Sequence, residues 1–465
     1  MSVTLALIGL IVGLLAWSTY KRRTYFKTLG LSGPPPLPLV GNILSYGGGM
    51  HEAHQAWRNK YGKIYGVFEG ARKAIITSDL DMIEEVVVKK FNNFCDRQMA
   101  ELVNDRAHLF VTNVQKRIDE GKGEMEMSKM LGSFAIESGA LCGYATKIDT
   151  QNQDDTTFID NANSFFKGFK EIQLPWMLIL MFSWMEPVLK WFGFSIHPIP
   201  AFNFFRDLIK DIINTRRADP NRKEYVDFLQ LMMKAHNFQD EDTPEEEKVV
   251  VDMKRELTDD EVVAMSIVFF LGNYETTTTT LCFTAYLLAT NPEVQERLIA
   301  EIDDVIGDRT KLTYQDVSDL TYLDMVLHES MRVYPPAIEF DRICQSDCVV
   351  KGVQIPKGVM VEVPVWVVHH DPETWPEPYK FDPDRWVPEK RGKMHPMSWI
   401  PFGAGPRKCI GYRFATLEIT LVMIRILQKF RIETCQNTEI PPNIGKHGLI
   451  LPEKGMTLRF TNRNK

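Results

Sequence analysis

Charge is absent from Val3 to Tyr20, eighteen residues of almost unbroken apolar character, and returns abruptly at Lys21, Arg22 and Arg23. As a helix such a run extends about 27 Å, close to the thickness of a bilayer's hydrocarbon core. Trp17 and Tyr20 suit the interface, and the basic cluster after them keeps the rest of the chain on the cytosolic side. A cleaved signal peptide, with Ala16-Trp17-Ser18 as its cleavage site, is the competing reading. Its positive charge should precede the apolar run, and here it follows. From Gly33 to Pro38 the prolines predict a stiff, extended spacer. The pattern therefore divides the chain into a spanning anchor at 1–20, a basic and proline-rich linker at 21–38, and a body at 39–465.

Within the body, Leu174 to Phe205 is apolar but broken by Pro175, Pro187, Pro198 and Pro200. Short helices that lie on the membrane surface or roof an apolar cavity fit this pattern, and a buried helical hairpin fits it equally. The charged stretch Asn237 to Arg255 predicts a solvated loop. Thr258 and Glu261 have capping-box spacing, and the apolar run behind them continues to about Ala289 before Asn291-Pro292 stops it. A helix of that length, about 45 Å, crosses a whole domain, and being hydrophobic nearly all round it is central. Leu320 to Tyr334 predicts another helix, ended by Pro335 and Pro336.

Composition narrows the class. At 465 residues, 44% hydrophobic and 25% charged, without a Gly/Ser linker, the body is one large catalytic domain. A net charge of −7 gives a nucleic-acid role no electrostatic support. Seven scattered cysteines predict reduced thiols, and no second ligand pair follows Cys344 and Cys348 at zinc spacing.

Candidate chemistry lies in three places. Phe402-Gly403-Ala404-Gly405-Pro406-Arg407-Lys408-Cys409-Ile410-Gly411 is a glycine-rich loop that delivers a cysteine to the start of an apolar helix. Helix N–H groups, Arg407 and Lys408 would favour its thiolate, while glycines 403, 405 and 411 would let the backbone turn tightly and approach a flat ligand. A buried structural cysteine is the alternative. In the long helix, Glu275 and Thr276 place an acid beside an alcohol, and back-bonding threonines would leave room for a small ligand or water. Without the cysteine loop the same segment reads as a threonine-rich core helix. On the Leu320 helix, Glu329 and Arg332 share a face and can pair.

The pattern F-x-x-G-x-R-x-C-x-G resembles the haem-binding loop of the cytochrome P-450 family, and the remaining motifs occur in that family's order. The resemblance implies a mainly α fold with small β-sheets, in which haem b (iron protoporphyrin IX) lies between the long central helix and the C-terminal cysteine loop. It implies that Cys409 is the axial ligand of haem iron, with Phe402, Gly403 and Gly411 shaping the loop and Arg407 and Arg342 meeting the propionates. It implies that Thr276 holds iron-bound dioxygen and its water while Glu275 relays protons. Glu329, Arg332 and Arg385 would form a structural ion-pair set, and Ala337, Ile338 and Glu339 a substrate-facing strand. The function implied is insertion of one oxygen atom from O2 into a lipophilic substrate, a steroid, fatty acid or xenobiotic. Electrons would come from NADPH through a cytochrome reductase, with a cytochrome b-type donor as a further partner, on a single-pass protein of the endoplasmic reticulum membrane. Microsomal animal members of the drug- and steroid-oxidising type are the most similar.

This chain departs from the family in two ways. Gly272 and Asn273 replace the usual small pair, and none of the nine tryptophans has an arginine four residues later. The W-x-x-x-R helix should follow Phe91 to Arg97. Instead Val111-Thr112-Asn113-Val114 already reads as the next helix, so one long helix is expected to be missing near 97–111. That absence motivates a second reading, a catalytically impaired haem-binding membrane protein; a third is a reductase-independent haem-thiolate isomerase or peroxygenase that keeps the thiolate.

Overall fold

The computed structural model describes residues 17, 19–70, 72–79, 97–151, 157–170, 188, 191, 198–219, 227–236, 257–312, 314–445 and 448–463. Among them no helix is long and apolar enough to cross a membrane. Most of Val3–Tyr20, residues 91–96, most of Leu174–Phe205 and all of the charged residues 237–255 lie outside the described set.

Helices dominate. In chain order they are α1 (Met50–Tyr61), α2 (Arg97–Asp119), α3 (Met127–Tyr144), α4 (Thr157–Lys170), α5 (Ile199–Ala218), α6 (Phe228–His236), α7 (Asp259–Thr290), α8 (Pro292–Val305), α9 (Tyr314–Ser318), α10 (Thr321–Val333), α11 (Val365–His369), α12 (Pro388–Arg391) and α13 (Tyr412–Lys429). Strands β1 (Ile64–Glu69), β2 (Arg72–Thr77), β7 (Met360–Val363) and β4 (Phe340–Ile343) form one sheet in that order, with β2 parallel to β7 and the other pairs antiparallel. Strands β3 (Glu124–Glu126), β9 (Thr457–Asn462) and β8 (Phe430–Glu433) form a second sheet, and β5 (Cys348–Val350) with β6 (Val353–Ile355) a hairpin. Residues 111–114 lie inside α2, which runs unbroken from residue 97.

The central helix α7 begins at Thr258 with both bonds of the capping box. The Glu261 amide donates to Thr258 Oγ1 at 3.3 Å, and the Thr258 amide to Glu261 Oε2 at 2.9 Å. It is 32 residues long and buried along most of its surface. Helix α3 lies close against it because Gly132 and Gly139 present bare backbone. A Cβ at either would come within 2.8 Å of Tyr274 or Asn273. The C-terminal half of α7 joins the main hydrophobic core with α2, α10 and α13, and its N-terminal half joins a second core with α4, α5 and α6.

Candidate functional site

The cysteine loop leaves Ile400 and turns twice before α13. Gly403 and Gly405 have φ of 68° and 72°, which L side chains rarely adopt. The Gly403 amide bonds the Ile400 carbonyl at 3.0 Å, and the Cys409 amide bonds the Phe402 carbonyl at 2.8 Å, closing the loop. Gly411 differs from expectation: at φ −86° it is the N-cap of α13 and makes no tight turn. Its missing side chain matters through proximity, since a Cβ there would lie 4.0 Å from Cys409 Sγ.

The thiol of Cys409 reaches solvent but is surrounded by protein on most sides. That burial pushes it above its ordinary pKa, while the Gly411 amide and Lys408 act in the opposite direction and lose. Helix end and basic neighbours therefore do not ionise this cysteine by themselves. Coordination to a metal would, because a coordinating thiol is deprotonated outright. Around it Pro406, Arg407, Lys408 and Ile410 are exposed, Ile410 by 79%, and Phe402 is half-buried.

A second open surface interrupts α7. Met265, Val268 and Gly272 are exposed and Thr276 half-buried along one stripe, whereas Asn273, Tyr274, Glu275 and Thr277 are buried. A Cβ at Gly272 would meet nothing within 4 Å. Thr276 Oγ1 donates to the Gly272 carbonyl at 2.6 Å, and Thr278 and Thr280 bond back in the same way. Asn273, the departure from the usual small pair, is turned off this stripe. Its amide donates to the Ala135 carbonyl of α3 at 2.8 Å and accepts from Thr277 Oγ1 at 3.1 Å.

Arg342 and Arg407 come close. Arg342, on β4 opposite Val361, is held below its ordinary pKa by burial and by the Arg407 charge, with Asp341 opposing. Neither guanidinium forms a salt bridge among the described residues. Two neighbouring cations, neither in a salt bridge among the described residues, are suited to a ligand bearing two carboxylates. With a single thiol donor on a bare loop and an open, partly apolar stripe on the longest helix, the residues present fit an iron porphyrin.

Glu329 carries the densest polar cluster. With no solvent exposure, it accepts from Arg332 Nε at 2.8 Å and Nη2 at 2.9 Å, from Arg385 Nε at 3.2 Å, from Trp386 Nε1 at 2.9 Å and from the Asp382 amide at 3.0 Å. Arg332 continues to the His369 carbonyl at 2.9 Å, and His369 Nε2 accepts the Ile400 amide at 2.9 Å. Burial lowers the His369 pKa well below its usual value, which keeps that nitrogen an acceptor. A continuous path of bonds thus links the ion-pair cluster to the start of the cysteine loop.

Sequence reasoning missed His369, and it missed Glu418 of α13, which is fully buried between Leu417 and Ile419. Glu418 bonds the Ser138 hydroxyl and lies 3.5 Å from Thr277 Oγ1. An acid inside an otherwise apolar helical stretch was the available signal.

The family described as "Cytochrome P450" matches this chain over residues 31–101 and 91–460. The chain is similar to "Cytochrome P450 3A25" of Mus musculus, 33% identical over 480 residues that cover 95% of this chain and 93% of the relative. It is also similar to "Cytochrome P450 3A5" of Homo sapiens, 32% identical over 496 residues that cover 98% and 96%. Matching motifs and this coverage agree: the chain belongs to the cytochrome P450 family, monooxygenases that bind haem b through a cysteine thiolate.

Proposed function

We propose that this protein inserts one oxygen atom from O2 into a lipophilic substrate, a steroid, fatty acid or xenobiotic, using electrons from NADPH delivered by a cytochrome reductase and, as a second donor, a cytochrome b-type protein. The observation that carries this reading is the Cys409 loop, which Gly403 and Gly405 turn and which delivers one thiol to the start of α13, with Arg407 of that loop near Arg342; a separate open stripe lies on the central helix at Gly272 and Thr276. Cys409 would be the axial ligand, and Arg342 and Arg407 would hold the two propionates. Phe402, Gly403 and Gly411 would shape the proximal loop. Bound haem supplies dioxygen activation and the electron-transfer steps. Thr276 would hold a water at Oγ1, since its own proton is engaged with the Gly272 carbonyl, and Glu275, buried one residue away, would deliver protons to it. Met265 and Val268 line the same open stripe and would orient an apolar substrate while excluding water.

The anchor at 1–20 would fix the body to the endoplasmic reticulum membrane with its catalytic part in the cytosol. Exposed Val188, Trp191, Ile199 and Phe202 in and beside the Leu174–Phe205 region support contact with an apolar phase. The test is dependence of product formation on NADPH and reductase. Loss of product without either is expected, and full turnover without them would favour the isomerase or peroxygenase reading.

One observation favours a second reading, a haem-binding protein with impaired turnover. The family match divides into two parts that meet at residues 91–101, next to the stretch 97–111 where the W-x-x-x-R helix is expected to be missing. The mouse relative aligns over 480 positions, while 95% of this chain is about 442 residues, so about 38 positions face a gap. A helix lost there would remove propionate contacts and part of a reductase docking face. Normal haem content with turnover that stays low at saturating reductase would select this reading over the first.

A further inference from the structure

Away from the cysteine loop, helix α1 packs on the four-stranded sheet and carries His54, which is 1% exposed. Its Nδ1 lies 3.0 Å from the Tyr65 hydroxyl, and that hydroxyl donates to the His54 carbonyl at 3.2 Å. With the phenol's single proton used there, the phenolic oxygen accepts from Nδ1–H, which leaves Nε2 as a bare lone pair. Nε2 has no hydrogen bond among the described residues, an unusual state for a buried imidazole. It faces Glu339 Oε2, which also lacks a hydrogen bond there, at 3.4 Å. Glu362 of β7, 2% exposed, completes the group, and one donor atom from each residue lies within 4.8 Å of the other two.

We propose that His54, Glu339 and Glu362 bind a divalent cation of the zinc class at the seam between α1 and the sheet. Tetrahedral coordination with metal–ligand bonds near 2.1 Å puts donor atoms about 3.4 Å apart, matching the His54–Glu339 separation. One nitrogen and two carboxylate oxygens suit zinc, and two negative charges balance its own. The Glu339 side chain keeps 23% exposure, so a water can take the fourth position. Tyr65 fixes the imidazole in the ligating tautomer, as an outer partner does at metal sites. The simpler arrangement, a protonated His54 bridging the carboxylates, fits less well. An imidazolium offers Nε2 a single proton, and a charge-assisted bond to Glu339 would close to about 2.7–2.9 Å. Glu339 directly precedes β4, so the cation would pin the strand that presents Arg342. Nothing in the sequence pointed here, because the three residues are far apart along the chain.

The full-length, haem-loaded protein, stripped with a chelator that leaves haem in place, is titrated with zinc by calorimetry, and zinc per chain is counted by mass spectrometry. One zinc per chain is expected in the parent, with affinity falling at least tenfold in Glu339→Gln and in His54→Gln. Circular dichroism of each variant checks folding, and a zinc-edge anomalous map of parent crystals should place its peak among the three side chains. No binding by the parent, equal binding by both folded variants, or a peak elsewhere would overturn the proposal. Haem counted in the same samples keeps this outcome separate from the fate of the haem assignment.

Discussion

Glu329 and Glu418 are two carboxylates with no solvent exposure, and the protein holds them in opposite ways. Glu329 is met by two guanidiniums, an indole N–H and a backbone amide. Glu418 has hydroxyl and amide neighbours from Ser138, Thr277 and Asn273 and no salt bridge among the described residues, and burial pushes its pKa up to about 8. Burial alone does not decide the state of an acid; the partners supplied do. The charged cluster stabilises the side that carries the cysteine loop. The neutral one joins α13 to α3 and to the central helix at Thr277, where a fixed negative charge would be costly to bury.

The comparison can be broken most forcefully at Glu329. Glu329→Ala leaves Arg332 buried without its acid and should cost about 3–5 kcal/mol. Chemical denaturation reads the loss directly, and haem absorbance should fall with it because the bonded path to Ile400 is cut. Stability within 1 kcal/mol of the parent, a small loss by the standard of about 3–5 for such pairs, would show that the cluster is not the support of the loop.

Glu418→Gln sharpens the other half. A carboxyl whose folded pKa is raised from 4.5 to about 8 gives stability that is fully present below pH 4.5 and is lost as pH rises towards 8. Across pH 5 to 8 the parent should lose on the order of 3 kcal/mol from this group. The Gln variant should lack that slope, and denaturation midpoints over the pH series compare them. Superimposable slopes would mean that Glu418 ionises freely in the fold.

A smaller effect is expected at His369→Ala, which removes the acceptor of the Ile400 amide: about 1–3 kcal/mol, with looser haem retention measured by transfer to an apo-acceptor protein. The smallest lies far from both acids. Thr258→Ala deletes the cap of α7 and should lower stability by about 1 kcal/mol in thermal melts, with haem content unchanged.

How far the sequence was legible follows from whether a feature is local. The capping box at Thr258 and Glu261 placed the start of α7 to within a residue, because both partners lie within one turn. Pro335 and Pro336 likewise placed the end of α10. Glu329, Arg332 and Arg385 could be nominated through family order, but spacing alone showed only that the first two can pair, and packing shows Glu329 and Arg332 to be fully enclosed. Gly411 was expected to turn the chain and instead caps a helix, since a glycine's φ depends on the bonds on either side. Asn273 looked like an intrusion into the oxygen site until Gly139 on a neighbouring helix was seen to receive it. His369, Glu418 and the group around His54 depend on contacts between distant segments, which periodicity and spacing do not encode.

The central proposal is that Cys409 is the ligand of haem iron, with Arg342 and Arg407 holding its propionates. Its most direct test is the reduced carbon-monoxide difference spectrum of the full-length protein, recorded beside Cys409→Ala. A thiolate-type Soret band in the parent, with haem lost from the variant, is the predicted result. No such band in haem-loaded parent, or unchanged haem and spectrum in the variant, would contradict it.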